Sequence, residues 1–227
     1  MGPVTKAGGL AALYIAAAYS AAIPYFVVVV DYPAVSDPVE KLALLRAHYG
    51  SMYAMHLVVY EAVALALIVL GVALHERTRT VTPVWARLTT ALGLTWAALL
   101  LASSMVFNYG MGAVIELHRE DGDRAVWMWQ AIEAVAQGIG GAGGELLGGL
   151  WMLALSVTAR RAQLFPRGVI GFGAVIGVTG LISIVPAQRE AGIVFGVLQI
   201  AWFAWVGVLL LRDRHARSEP QTFRAAP

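Results

Sequence analysis

Four ionisable side chains fall inside long apolar stretches of the sequence: His56, Glu61, Glu133 and Glu145, with Gln137 and Gln199 as polar companions. Polar groups in hydrocarbon are costly, so each marks a candidate binding or catalytic position. No Lys or Arg lies within the same stretches. Each carboxyl must therefore carry a proton, sit in a hydrated cavity, or await a positively charged guest. Three uses follow. A carboxylate among aromatic rings can hold a small cationic or amphipathic ligand by charge and cation–π attraction, and proton uptake and release would couple such binding to proton movement. A protonated Glu61 or Glu145 can instead serve as a catalytic general acid on a lipid-soluble, isoprenoid-like substrate, as in a membrane cyclase. In the third use the polar groups are structural and the chain is an accessory or scaffold subunit of a membrane assembly.

Spacing narrows the candidates. Tyr49, Tyr53, His56 and Tyr60 recur at i, i+4, i+7 and i+11 and form one stripe on a helix. Glu61 lies about 100° round from Tyr60, on a flank with Gly50, Ala54 and Ala64. Gln130, Glu133 and Gln137 share a face of a later helix. If both faces meet, Tyr53, His56, Tyr60, Glu61, Gln130, Glu133 and Gln137 line one outward-facing pocket. The alternative is two separate polar patches, each satisfied locally. His48, His56 and His118, with Glu133, make a weak metal-ligand set, because neither HxxxH nor HExxH spacing occurs. No metal and no cofactor is expected, and the absence of cysteine removes thiolate chemistry.

Glu145 sits in the glycine run Gly138–Gly149. Ala136, Gly140, Gly144 and Gly148 fall four apart, a small-residue ridge that lets helices touch, within the chain or in a homo- or hetero-oligomer. The other reading is unwound glycine backbone lining a cavity. A phosphate loop is excluded, since no Lys-Ser/Thr ending follows the glycines.

The elements that position these residues are membrane helices. The chain has 227 residues, 59% apolar and 13% charged, with mean hydropathy +0.71. That composition excludes disorder and an ordinary soluble domain. Six apolar segments span 8–30, 51–74, 88–107, 125–158, 168–185 and 192–211, each near or above the ~20 residues a crossing needs. The expected fold is all-α: one polytopic bundle of six transmembrane helices over 1–211, followed by a basic tail at 212–227 beside anionic lipid. The fourth segment exceeds the bilayer and is expected to tilt.

Charge sets orientation. Lys6, Arg77, Arg79, Arg87, Arg160, Arg161, Arg167, Arg212, Arg214, Arg217 and Arg224 fall on one side, against Lys41, Arg46, Arg119, Arg124 and Arg189 on the other. The bias predicts that both termini are cytoplasmic. Membrane lipids are the expected surroundings, and the missing basic stripe excludes nucleic acid. In the first outer loop, Asp37-Pro38-Val39-Glu40 reads as an N-cap followed by a helix-starting proline. Pro24 should kink the first crossing. That run continues through Phe26 to Val30, longer than a signal-peptide core.

Two stretches carry a likeness. One is Asp31-Tyr32-Pro33 closing the first helix, with an amphipathic loop leading into 49–74. The other is 149–156, a short basic loop, then Pro166-Arg167-Gly168-Val169-Ile170-Gly171 and Gly177-Val178-Thr179-Gly180. This pattern resembles an uncharacterised bacterial family of six-helix membrane proteins, catalogued as domain of unknown function 4386. The resemblance implies the six-helix architecture in a bacterial cytoplasmic membrane, and carries no activity and no catalytic residue.

Overall fold

A computed structural model describes residues 2–140 and 145–212. These residues form eight α-helices and no strand: α1 (Pro3–Pro24), α2 (Pro38–His56), α3 (Ala62–Thr78), α4 (Pro83–Leu117), α5 (Gly122–Gly140), α6 (Leu146–Ala162), α7 (Arg167–Ile182) and α8 (Ala191–Arg212). A π turn, Leu57–Glu61, joins α2 to α3, so the described residues make seven helical rods. Four rods are long and apolar enough to cross a membrane: Pro3–Val29, Pro38–Thr78, Pro83–Leu117 and Ala191–Arg212. The apolar α7 is shorter, at 16 residues. Large apolar side chains face outward, with Val28 75% and Ile193 71% exposed, while Ser104, Thr158 and Asn108 are buried. That inside-out distribution suits a lipid surrounding.

Local chemistry sets the boundaries. Asp37 caps α2 as the sequence predicts, its carboxylate accepting from the Val39 and Glu40 amides at 2.9 Å. Prolines stand in the first turns of α1, α2 and α4, where their missing N–H costs nothing. Gln163 ends α6 in the left-handed region, at φ 51°. Pro24 ends α1, and the chain continues as a π turn over Tyr25–Val29.

Helix α4 is 35 residues long, about 50 Å at the standard rise, and organises the rest. Against its second half lies α5, where the Ser103 hydroxyl donates to the Ala136 carbonyl at 2.8 Å. Against its first half lies α6, where Thr89 and Thr158 share a hydroxyl bond of 2.8 Å and Trp151 packs on Gly93. Together α5 and α6 run antiparallel to α4. The single long crossing expected over 125–158 is thus corrected to two helices. The first ends at Gly140, and Glu145, at φ −83° and ψ 57°, is non-helical before Leu146. Residues 141–144, including Gly144, lie outside the described part. The third crossing is also longer than 88–107, because Asn108, Met111 and Val114 are buried against neighbouring helices.

Two hydrophobic clusters result. One, at the end carrying the basic loops, joins α1, α3, α6, α7, α8 and the first half of α4 through Ile15, Leu70, Trp96, Trp151, Trp202 and Phe203. The other, at the acidic end, joins α2, α5 and the second half of α4 through Leu42, Leu45, Met52, Phe107, Met111 and Trp129. The polar residues of interest gather between them.

Candidate functional site

A cavity of about 440 Å³ lies at the junction of the two clusters, bounded by α1, the α2–α3 rod, α4, α5 and α8. It is large enough for a small organic molecule. The helices part here for local reasons. Pro24 and two π turns interrupt α1 and the α2–α3 rod, and α5 ends at Gly140 on the cavity wall. Gly196 of α8 meets no neighbour within 4 Å, so it leaves space open.

The walls are mainly aromatic and aliphatic. Tyr19, Phe26, Tyr60, Trp96 and Phe107 contribute rings. His56 is stacked between Tyr60 and Phe107, with ring centroids 5.2 and 4.1 Å away. Its Nδ1–H donates to the Met52 carbonyl at 2.9 Å, which leaves Nε2 as the acceptor nitrogen. Among the described residues, Glu145 is the one carboxyl on the wall, and no donor bonds it. The buried Gln199 Oε1, from α8, also lacks a partner. The Tyr19 and Tyr60 hydroxyls, on the same wall, make no hydrogen bond among the described residues. An acid and two phenols thus stand on the wall of an aromatic chamber.

Glu133 is different. The sequence reading left it without a cation, and the structure corrects this. Lys41, from the first turns of α2, folds back so that Nζ lies 2.8 Å from Glu133 Oε1. The same oxygen accepts from the Tyr32 hydroxyl at 2.8 Å and from Gln137 Nε2 at 3.0 Å. Lys41 Nζ also sits 5.0 Å from the Tyr32 ring centroid, within cation–π reach. Burial, and then the neighbouring Glu133 carboxylate, push the Tyr32 phenol well above its ordinary value, so it stays a donor. Tyr32 and Pro33 line the cavity. Glu133 therefore clasps the start of α2 through Lys41, and the first loop through Tyr32, to α5 at the acidic end of the chamber.

The sequence-predicted site residues separate into two groups. His56, Tyr60, Gln137 and Glu145 line the cavity. Tyr53 and Gln130 are exposed on helix surfaces away from it, and Glu61 points to α4 instead, towards Ser104 and Asn108. The assumed stripe from Tyr49 to Tyr60 does not persist as one face. The π turn over Leu57–Glu61 shifts the phase after His56. Among the described residues no three His, Asp or Glu gather as a metal site. His118 Nε2 instead accepts from the Arg46 guanidinium at 2.7 Å, and His48 stands apart from both other histidines. Gly140 packs against Ser103, and a Cβ on Gly148 would meet Phe195 and Trp96, so both glycines face partners inside the chain. The sequence reading left Tyr19, Tyr32, Lys41 and Phe107 out of the site. For Lys41 and Tyr32 the one prior signal was the helix cap at Asp37, which starts α2 just after the first loop. Compared with family models, curated proteins and solved structures, the chain matches none of them.

Proposed function

We propose that this is a six-crossing protein of a bacterial cytoplasmic membrane, with both termini cytoplasmic, whose cavity binds or carries a small cationic or amphipathic ligand. In this reading α1, the α2–α3 rod, α4, the α5–α6 pair, α7 and α8 are the six crossings. Support for the orientation comes from the eleven-to-five division of Lys and Arg between the two sets of loops. Support for the ligand class comes chiefly from Glu145, a carboxyl on an aromatic wall with no donor among the described residues. An ammonium group would meet that carboxyl, while the rings of Tyr60, Trp96 and Phe107 would face its positive charge. Movement of the Tyr32–Lys41–Glu133 clasp would open the acidic end.

The test is binding of tetraethylammonium and tetraphenylphosphonium to the purified protein by calorimetry, beside neutral analogues of equal size. Saturable cation binding that falls about tenfold or more in Glu145→Gln is expected, in keeping with the loss of a charge-assisted contact of ~1.5–3 kcal/mol. Equal affinity for the neutral analogues, or unchanged affinity in the variant, overturns the reading. The same wall supports a second reading, in which Glu145 is the general acid of an intramembrane enzyme and the rings stabilise a carbocation. Turnover of polyprenyl substrates that stops in Glu145→Gln would favour it over simple binding.

A further inference from the structure

Helices α1 and α8 lie antiparallel, Gly9 facing Leu211 and Gly207 facing Leu13, a register that brings Ile23 level with Val197. Their spacing changes along their length. Towards the basic end they touch backbone to backbone. A Cβ on Gly9 would lie 3.2 Å from the Gly207 carbonyl oxygen, and one on Gly207 3.0 Å from that of Gly9. Towards the acidic end the two helices part. Ala22 and Ile23 of α1, with Ile193, Gly196 and Val197 of α8, line the cavity. Nothing among the described residues stands within 4 Å of a Cβ on Gly196. The cause is local. Beyond Pro24 the chain leans towards α2, where the Tyr25 hydroxyl donates to Ser51 Oγ at 2.8 Å and the Phe26 ring meets His56 edge-on at 5.5 Å. Among the described residues no side-chain hydrogen bond joins α1 to α8.

The gap reaches the outside of the bundle. Ile23, Ile193 and Val197 are 44%, 71% and 50% exposed, although each lines the cavity. Its rim is aliphatic, and both helices are apolar enough to cross a membrane. In the six-crossing reading the opening therefore faces hydrocarbon. The cavity also reaches the surface at Pro33 and Gln137, but that side is held by the Lys41–Glu133 ion pair. A carboxyl on the inner wall and an aliphatic slot at the outer one match a molecule with a cationic head and one hydrocarbon chain. Its chain could slide from the bilayer into the slot without meeting water, while its head exchanged water for Glu145 and the aromatic rings.

We propose that the space between α1 and α8 is a lateral portal, and that the ligand is a single-chain cationic amphiphile drawn from the bilayer, with its head at Glu145 and its chain between Ile23 and Val197. This portal rests on the cation-binding reading of the cavity, and the experiment separates the two. The full-length protein in phosphatidylcholine nanodiscs is irradiated with a dodecylammonium carrying a diazirine at the end of its chain, and the labelled residues are mapped by mass spectrometry. Binding of tetraethylammonium is measured on the same preparation. Labelling is expected within 22–26 and 193–197, and should be lost with excess tetraethylammonium and in Glu145→Gln. Val197→Trp, which adds bulk at the rim, should weaken dodecyltrimethylammonium about tenfold more than tetraethylammonium. Photolabelling uses the unaltered chain, so it decides even where that variant fails to fold. Competed labelling around Tyr32 instead, or equal weakening of both ligands in Val197→Trp, overturns the portal and leaves the cation site standing. Labelling that tetraethylammonium does not compete also overturns the portal, because the chain then rests on the outer surface alone. Absence of tetraethylammonium binding overturns the cavity reading, and the portal with it.

Discussion

The two hydrophobic clusters use the same kinds of residue to opposite ends. At the basic end, several glycines are matched to close partners, although Gly71 and Gly171 meet none within 4 Å. A Cβ on Gly93 would come within 2.6 Å of Trp151 Nε1, one on Gly173 within 2.9 Å of Trp202 Nε1, and one on Gly149 within 2.9 Å of the Gly177 carbonyl oxygen. The tryptophans pack ring to ring, with Trp151 5.6 Å from Trp96 and 6.0 Å from Trp202. At the acidic end, helices are interrupted by Pro24, by two π turns and by the end of α5. There Gly138 and Gly196 meet nothing within 4 Å. A glycine contributes close packing where a partner fills its groove, and a void where none does. The closed cluster carries stability, and the open junction carries the cavity.

The sharpest test of this contrast is Trp151→Ala. Trp151 is fully buried at the centre of the closed cluster, so its loss should cost about 3–5 kcal/mol. Tyr60→Ala, on a wall already beside open space, should cost clearly less, and thermal unfolding of the two variants in one detergent compares them. Equal losses would mean that the cavity wall is packed as tightly as the basic end.

A smaller effect is expected at the clasp. Lys41→Met leaves Glu133 largely buried with the Tyr32 and Gln137 donors alone. The expected loss is roughly 2 kcal/mol, below that of a fully buried pair because the Lys41 side chain is 21% exposed. Adding Glu133→Gln should restore part of it, and a double-mutant cycle without coupling would show that the two charges do not interact.

The smallest effect belongs to Gly196→Ala. With no atom near its Cβ, the change should stabilise α8 by up to about 0.5–1 kcal/mol while narrowing the chamber. Gly93→Ala should destabilise instead, against Trp151. The opposite signs, read as shifts in unfolding midpoint, would separate glycines with partners from those without.

Much of the architecture was legible because lipid leaves the backbone few choices. Apolar runs of about twenty residues must be helices, and Asp37-Pro38 marks the start of α2 in sequence and structure alike. Two polar groups of the cavity wall were legible too, since His56 and Glu145 stand out in apolar surroundings. Their partners were not. Lys41 counts as a loop cation in the sequence, yet it reaches Glu133 across 92 residues. Glu61 and Glu145 look equivalent on paper, but the π turn at Leu57–Glu61 turns the first towards Asn108, while the second, non-helical just before α6, lines the cavity.

The sequence by itself determined that helices form, where their caps and prolines fall, and which polar groups enter the apolar layer, because each of these is a local cost. Tertiary structure alone decided which acid is neutralised and which stays open. Pairing depends on how distant helices approach one another, and a single π turn or a run of glycine alters that approach without changing composition.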